Sequence, residues 1–253
     1  MLPPVFDSSN DHRLNDDRQA VMIVVVPRSL TIRMHLLFAI ALTIKSLQGH
    51  WISARYADAL ASMRSPSRAE KVDPAIAITI NGNRADATSF HEGSWRIIKS
   101  VDEQAIVVSP LEAPDGKAER LPLTVTHDAH GAITTIRVAL WPETMAAFRR
   151  IDVDAETYAR RVLLAGTYRD AKGAIYRFTE GGQLTIGKGP ARPYHVSLDT
   201  SEACCDYFVI GEEDRAGFQW RDGKLLLYKI IEDPNGCPIS CAKTPYATLT
   251  VVH

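Results

Sequence analysis

Residues Gly217-Phe218-Gln219-Trp220-Arg221-Asp222-Gly223-Lys224-Leu225-Leu226-Leu227-Tyr228 decide the class of fold. Asp222-Gly223 is a pair that accepts the two positive φ angles of a two-residue hairpin turn, and an apolar segment lies on each side of it. Working upstream, Thr167 to Arg169, Ile175 to Phe178 and Gln183 to Ile186 are strand-like, separated by Asp170-Ala171-Lys172-Gly173 and Glu180-Gly181-Gly182. Turn signals recur about every eight to twelve residues, the spacing of antiparallel sandwiches and barrels. Tyr194 to Leu198, Tyr207 to Ile210 and Thr248 to Val252 supply further strands in this half.

The preceding hundred or so residues repeat the pattern. Ile76 to Ile80 and Ala85 to Phe90 enclose Asn81-Gly82-Asn83, a second strong hairpin signal. Trp95 to Lys99, Ala105 to Ser109, Leu121 to Thr126 and Ala132 to Val138 continue a meander, with turns at Asp102-Glu103, Pro114-Asp115-Gly116 and His130-Gly131. Ile52, Tyr56, Leu60 and Met63 recur at helical spacing and stop at Arg64-Ser65-Pro66. After Pro142 the run Glu143 to Arg150 predicts a short helix, and Asp154 can cap another over Ala155 to Leu163. The helical stretch makes a connector, which places a boundary near Asp152. The expectation is a mainly β protein of two antiparallel barrel-like or half-barrel units, residues 47–152 and 153–253, preceded by a separate segment 1–46.

Leu47-Gln48-Gly49-His50-Trp51 and Leu164-Ala165-Gly166-Thr167-Tyr168 share the pattern L-x-G-x-aromatic, one at the head of each half. Glycine there lets the backbone pass close beneath an aromatic ring that plugs one end of a sheet. The motif resembles the G-x-W opening of lipocalin-like small barrels, the calycin group, over about five residues in each half; Tyr168 stands where that family has tryptophan. The resemblance implies two related meander barrels.

Net charge is -1, without the basic excess that marks a nucleic-acid partner. Residues 7–18 are polar and low in apolar content, a pattern of disorder. Arg33-Met34-His35 then precedes the apolar run 36–44, which has the charged start and length of a signal-peptide core and is too short for a stable membrane span. Export to the periplasm or medium is the expectation, with an uncleaved anchor through residues 34–46 as the alternative. Small-residue cleavage patterns come late, at Ala57-Asp58-Ala59 and Ala59-Leu60-Ala61. The four cysteines, Cys204, Cys205, Cys237 and Cys241, cluster near the C-terminal end and point to disulfides in an oxidising compartment. Pairing the adjacent Cys204 and Cys205 is strained, which leaves two connectivities to Cys237 and Cys241. Four thiolates on zinc are the competing reading.

No sequence motif assigns a catalytic residue, a metal ligand or a cofactor. His127-Asp128-Ala129-His130 collects two imidazoles and a carboxylate at a hairpin tip, where solvated polar residues ordinarily gather. His91-Glu92 is most simply a turn. Gly187-Lys188-Gly189 lacks the following helix that a phosphate loop needs. Trp51, Trp95, Tyr168, Tyr176, Phe178, Trp220 and Tyr228 are the aromatic candidates for lining a ligand cavity, and they equally suit a core. The leading expectation is a non-catalytic exported binding protein, holding a small apolar ligand or a protein partner. An inhibitor or immunity protein that neutralises a toxin or lytic enzyme is the narrower form; a hydrolase built on the His127 cluster is the competing class.

Overall fold

Strands β1 (Gly49–Ser53), β2 (Ala75–Asn81), β3 (Arg84–Ser89), β4 (Ser94–Val101), β5 (Gln104–Glu112), β6 (Ala118–His127), β7 (Ile133–Trp141) and β8 (Thr144–Ile151) form a meander in which each pairs with the next. β8 returns to β1, with Trp51 opposite Arg150, and closes the barrel. The computed structural model describes residues 44–89, 94–101, 104–112, 118–141, 144–198, 200, 203–231 and 239–252.

The second set comprises β9 (Gly166–Arg169), β10 (Ile175–Phe178), β11 (Gln183–Ile186), β12 (Arg192–Val196), β13 (Tyr207–Ile210), β14 (Asp214–Arg221), β15 (Lys224–Ile231), β16 (Ser240–Cys241) and β17 (Ala247–Val251). Consecutive strands pair antiparallel from β9 to β15; β15 also pairs with β17, and β17 with β9. These contacts return to their starting strand, so the second set is a ring as well. The two-residue β16 adds to the far end of β15, at Ile230 and Ile231.

The turns form where local chemistry permits them. Asp222 and Gly223 have φ of 50° and 71°, the doubly left-handed turn expected between Arg221 and its partner Lys224. Helix α3 (Ala155–Leu163) starts where Asp154 Oδ1 accepts the Thr157 N–H at 2.8 Å. Helix α1 (Ala54–Met63) is capped by Ser53, so Ile52 sits on β1 and not at the head of the helix as its spacing suggested. A third helix, α2 (Pro66–Glu70), follows, with Ser65 as its cap and proline in its first turn.

One predicted element is corrected. Residues 144–150 are strand β8 and not a helix, although Met145-Ala146-Ala147 favours helix locally. Ala146 and Phe148 are buried on one face, and both edges of β8 are used, by β7 and by β1. The hydrogen bonds and burial gained by closing the barrel outweigh a helix propensity of a few tenths of a kcal/mol per residue, about.

Trp51, Ile78, Ile80, Ala85, Ala87, Ile98, Leu123, Ile136, Val138, Ala146 and Phe148 come together from seven strands as one buried cluster, the filling of the first barrel. The second cluster is aromatic. Tyr168, Phe178, Tyr194, Phe208 and Phe218 pack edge to face or tilted, with centroids 5.4 to 6.1 Å apart. This filling of the second ring is continuous with Tyr56, Ala57 and Leu60 of α1, Ala69 of α2, Ala159 and Leu163 of α3, and Ile52 and Ile76 of the first barrel. The helices therefore lie in a shared apolar seam between the two rings.

At the head of the first barrel a 3-10 turn, Ile44–Leu47, is held from the last strand. Arg150 donates to the carbonyls of Ser46 at 2.6 Å and Gln48 at 3.1 Å while its guanidinium lies 4.4 Å over the Trp51 ring. The run 36–43 and everything before it lie outside the described residues, and so do His91-Glu92, Asp102-Glu103 and residues 113–117. Among the described residues no helix is long and apolar enough to cross a membrane. Of the small residues in the late cleavage patterns, Ala57 and Ala59 are buried in α1 and Ala61 is exposed.

Candidate functional site

Where α1 gives way to α2 the chain turns at Arg64, which is in the left-handed region with φ 48° and ψ 42° and donates its N–H to Leu60 O at 2.9 Å. Helices commonly end on glycine in this conformation because a Cβ is strained there. Here the position carries an arginine whose guanidinium lies 4.2 Å over the Trp220 ring of β14. Trp220 is itself fixed: its indole N–H donates to Leu163 O at 2.8 Å, and its ring meets Tyr168 edge-on at 6.1 Å. Two elements remote in sequence thereby set one cation and one aromatic ring in a defined place.

Beside that pair opens a groove of about 360 Å³ between the α1–α2 segment and strands β14 and β15. Its charged members are Arg64, Arg68 and Lys243 on one account and Asp206 on the other, a net of two positive charges from three minus one. Among the described residues no carboxylate pairs with Arg64, Arg68 or Lys243. Asp206 is buried and occupied, its Oδ1 accepting the Ser67 N–H at 2.8 Å. Tyr228 and Gln219, joined by a 3.2 Å hydrogen bond, form the opposite wall, and Met63 and Ala242 add apolar surface.

The remaining wall is a disulfide. Cys205 and Cys241 are bonded with a Cα separation of 5.9 Å, which anchors β16 across β14. Cys204 is disulfide-bonded too, while Cys237 lies outside the described residues. Gly217 makes this arrangement fit, because a Cβ there would stand 2.0 Å from Cys241 Sγ.

The seven aromatic candidates thus separate. Trp220 and Tyr228 meet at the groove. Trp51, Tyr168, Tyr176 and Phe178 are buried in the fillings of the two rings. Trp95 falls on β4, opposite Asp86, and its side chain lies outside the described part. Arg64, Arg68 and Lys243 carry no signal in the sequence beyond their charge; a non-glycine residue ending a helix just before Ser65-Pro66 was the one local sign that Arg64 is unusual.

The polar motifs prove to be turns. Asp128 Oδ1 accepts the N–H groups of His130 at 2.8 Å and Ala132 at 2.9 Å, and His127, Asp128 and His130 are all exposed. Gly187 and Gly189 spend their N–H groups on Ile175 O and Ile186 O, within the sheet's own turn. Among the described residues no group of three or more His, Cys, Asp or Glu side chains could hold a metal ion.

A second polar cluster lies under the groove. Thr200 Oγ1 donates to Glu70 Oε2, linking α2 to the segment before β13. Burial, and then the carboxylates of Glu70 and Asp206, push the Tyr56 hydroxyl far above the ordinary tyrosine range. This cluster stays protonated at Tyr56 and serves as packing between the rings.

No family model, curated protein or solved structure matches this chain.

Proposed function

We propose that this chain is a non-catalytic, exported protein-interaction module, a pair of lipocalin-like barrels whose binding surface is the Arg64–Trp220 groove and not a barrel lumen. The observation that carries this reading is the filling of the rings: buried aromatic and aliphatic side chains occupy the interior positions where a carried ligand would sit. A filled barrel beside an open, charged groove suits a partner that docks from outside. Disulfide-bonded Cys205 and Cys241 suit an oxidising compartment. The Gly49-x-Trp51 and Gly166-x-Tyr168 openings, each with its aromatic buried at the head of a ring, support the calycin-like kinship. Neutralisation of a toxin or lytic enzyme is the narrower form of this function, because shape and a few anchor residues are sufficient for it.

The test is a photo-crosslinking amino acid at Gln219, in the groove, in the full chain expressed in its own cells, with the same label at the exposed Lys172 as control. A discrete protein adduct from position 219 and none from 172 is expected, and its identity separates an enzyme target from other partners. Equal labelling from both positions, or a small molecule co-purifying in native mass spectrometry with no adduct, overturns the reading.

A further inference from the structure

The geometry points to an acidic segment of a partner protein as the occupant of the groove, with Arg64 clamping a carboxylate and Arg68 and Lys243 supplying the surrounding field. This rests on the protein-interaction reading above. Arg64 is held at both ends: its backbone in the left-handed region by the bond to Leu60 O, its guanidinium over Trp220. A guanidinium resting on an aromatic face keeps N–H donors for a carboxylate and loses little freedom when it binds one. Backbone strain kept at such a residue marks a place where the side chain is required, since glycine would end the helix without cost.

The chemistry selects protein over other polyanions. Three cations around one groove, with buried Asp206 opposing them, make a site for one or two carboxylates and not the long basic track that a nucleic acid or a sulfated polysaccharide follows. Trp220 offers no open face for stacking a base or a sugar on the side that Arg64 covers. An extended peptide bearing Asp or Glu can set a carboxylate on Arg64 and lay apolar side chains against Met63 and Ala242.

The experiment uses the oxidised full chain and three probes in low-salt calorimetry: a Glu-rich decapeptide, its Gln counterpart, and a heparin oligosaccharide. The Glu peptide alone should bind, and tenfold more salt should weaken it. Arg64→Gly should weaken it at least tenfold while leaving the thermal midpoint unchanged or higher, since glycine suits the backbone at this position; Arg64→Lys, which keeps charge and loses the fork, should fall between. Unchanged peptide affinity in Arg64→Gly, a lowered midpoint with unchanged affinity, or binding of heparin without the Glu peptide each overturns the inference. If Gln219 still crosslinks a protein while Arg64→Gly makes no difference, the carboxylate clamp fails and the interaction module stands. If neither probe nor adduct is found, both fail.

Discussion

Trp51 and Tyr168 make the same hydrogen bond in two different rings, each to the carbonyl of the leucine that opens its own L-x-G-x-aromatic motif. The indole N–H of Trp51 reaches Leu47 O at 2.9 Å, and the hydroxyl of Tyr168 reaches Leu164 O at 2.8 Å. Both glycines between them have positive φ, 117° at Gly49 and 153° at Gly166, which lets the chain fold back over the ring. At Gly166 a Cβ would stand 3.1 Å from the tyrosine hydroxyl, so ring and backbone are in close approach.

If the two motifs are equivalent closures, Tyr168→Phe should cost about 1–2 kcal/mol, the price of a buried donor and its orphaned carbonyl. Trp51→Phe should cost more, because it removes ring volume from a filled barrel as well. Urea unfolding of the two variants measures this. A neutral Tyr168→Phe would show that the second motif is not held by its hydroxyl.

Alkaline pH should act through the same tyrosine. Burial pushes Tyr168 up to about 12, against an opposing pull from Arg64, and burial also raises Tyr194 and Tyr56. A phenol whose folded value lies above its unfolded value of about 10 keeps its proton longer in the folded state. Its contribution is therefore complete below pH 10 and is lost as pH rises from 10 toward 12. Stability should fall steeply across that window, and Tyr168→Phe should flatten the slope; an unaltered slope in the variant would count against the assignment.

The disulfide and Gly217 should be coupled. Cys205–Cys241 closes a separation of 36 residues, for which the chain-entropy account gives about 4 kcal/mol of stabilisation. Gly217→Ala in the oxidised protein drives a methyl onto Cys241 Sγ and should be severely destabilising. In a Cys205→Ala/Cys241→Ala background the same substitution meets nothing closer than 3.4 Å and should cost little. A double-mutant cycle by thermal unfolding reads this difference, and additive effects would refute it.

Much of the fold was legible because its signals are local. Asp222-Gly223 and Asn81-Gly82 declare their hairpins through backbone freedom, and Asp154 declares the start of α3 through an oxygen placed to accept an amide. Short strand-like segments bounded by turn residues did the rest in β10, β11 and β13, where the expected bounds match the observed ones. The misread element, β8, has ordinary helix formers in its sequence and owes its conformation to two neighbours about ten and a hundred residues away, β7 and β1.

By itself the sequence determined the mainly β class, the two aromatic-plugged openings and the clustering of the cysteines, because turn chemistry, period-two burial and composition are properties of neighbouring residues. Only the tertiary structure decided that both strand sets close, that Cys205 pairs with Cys241, and that most of the aromatics fill the rings while Trp220 and Tyr228 reach a groove. Closure, cross-linking and the meeting of Arg64 with Trp220 depend on distances between residues far apart in the chain, and such distances are set by packing alone.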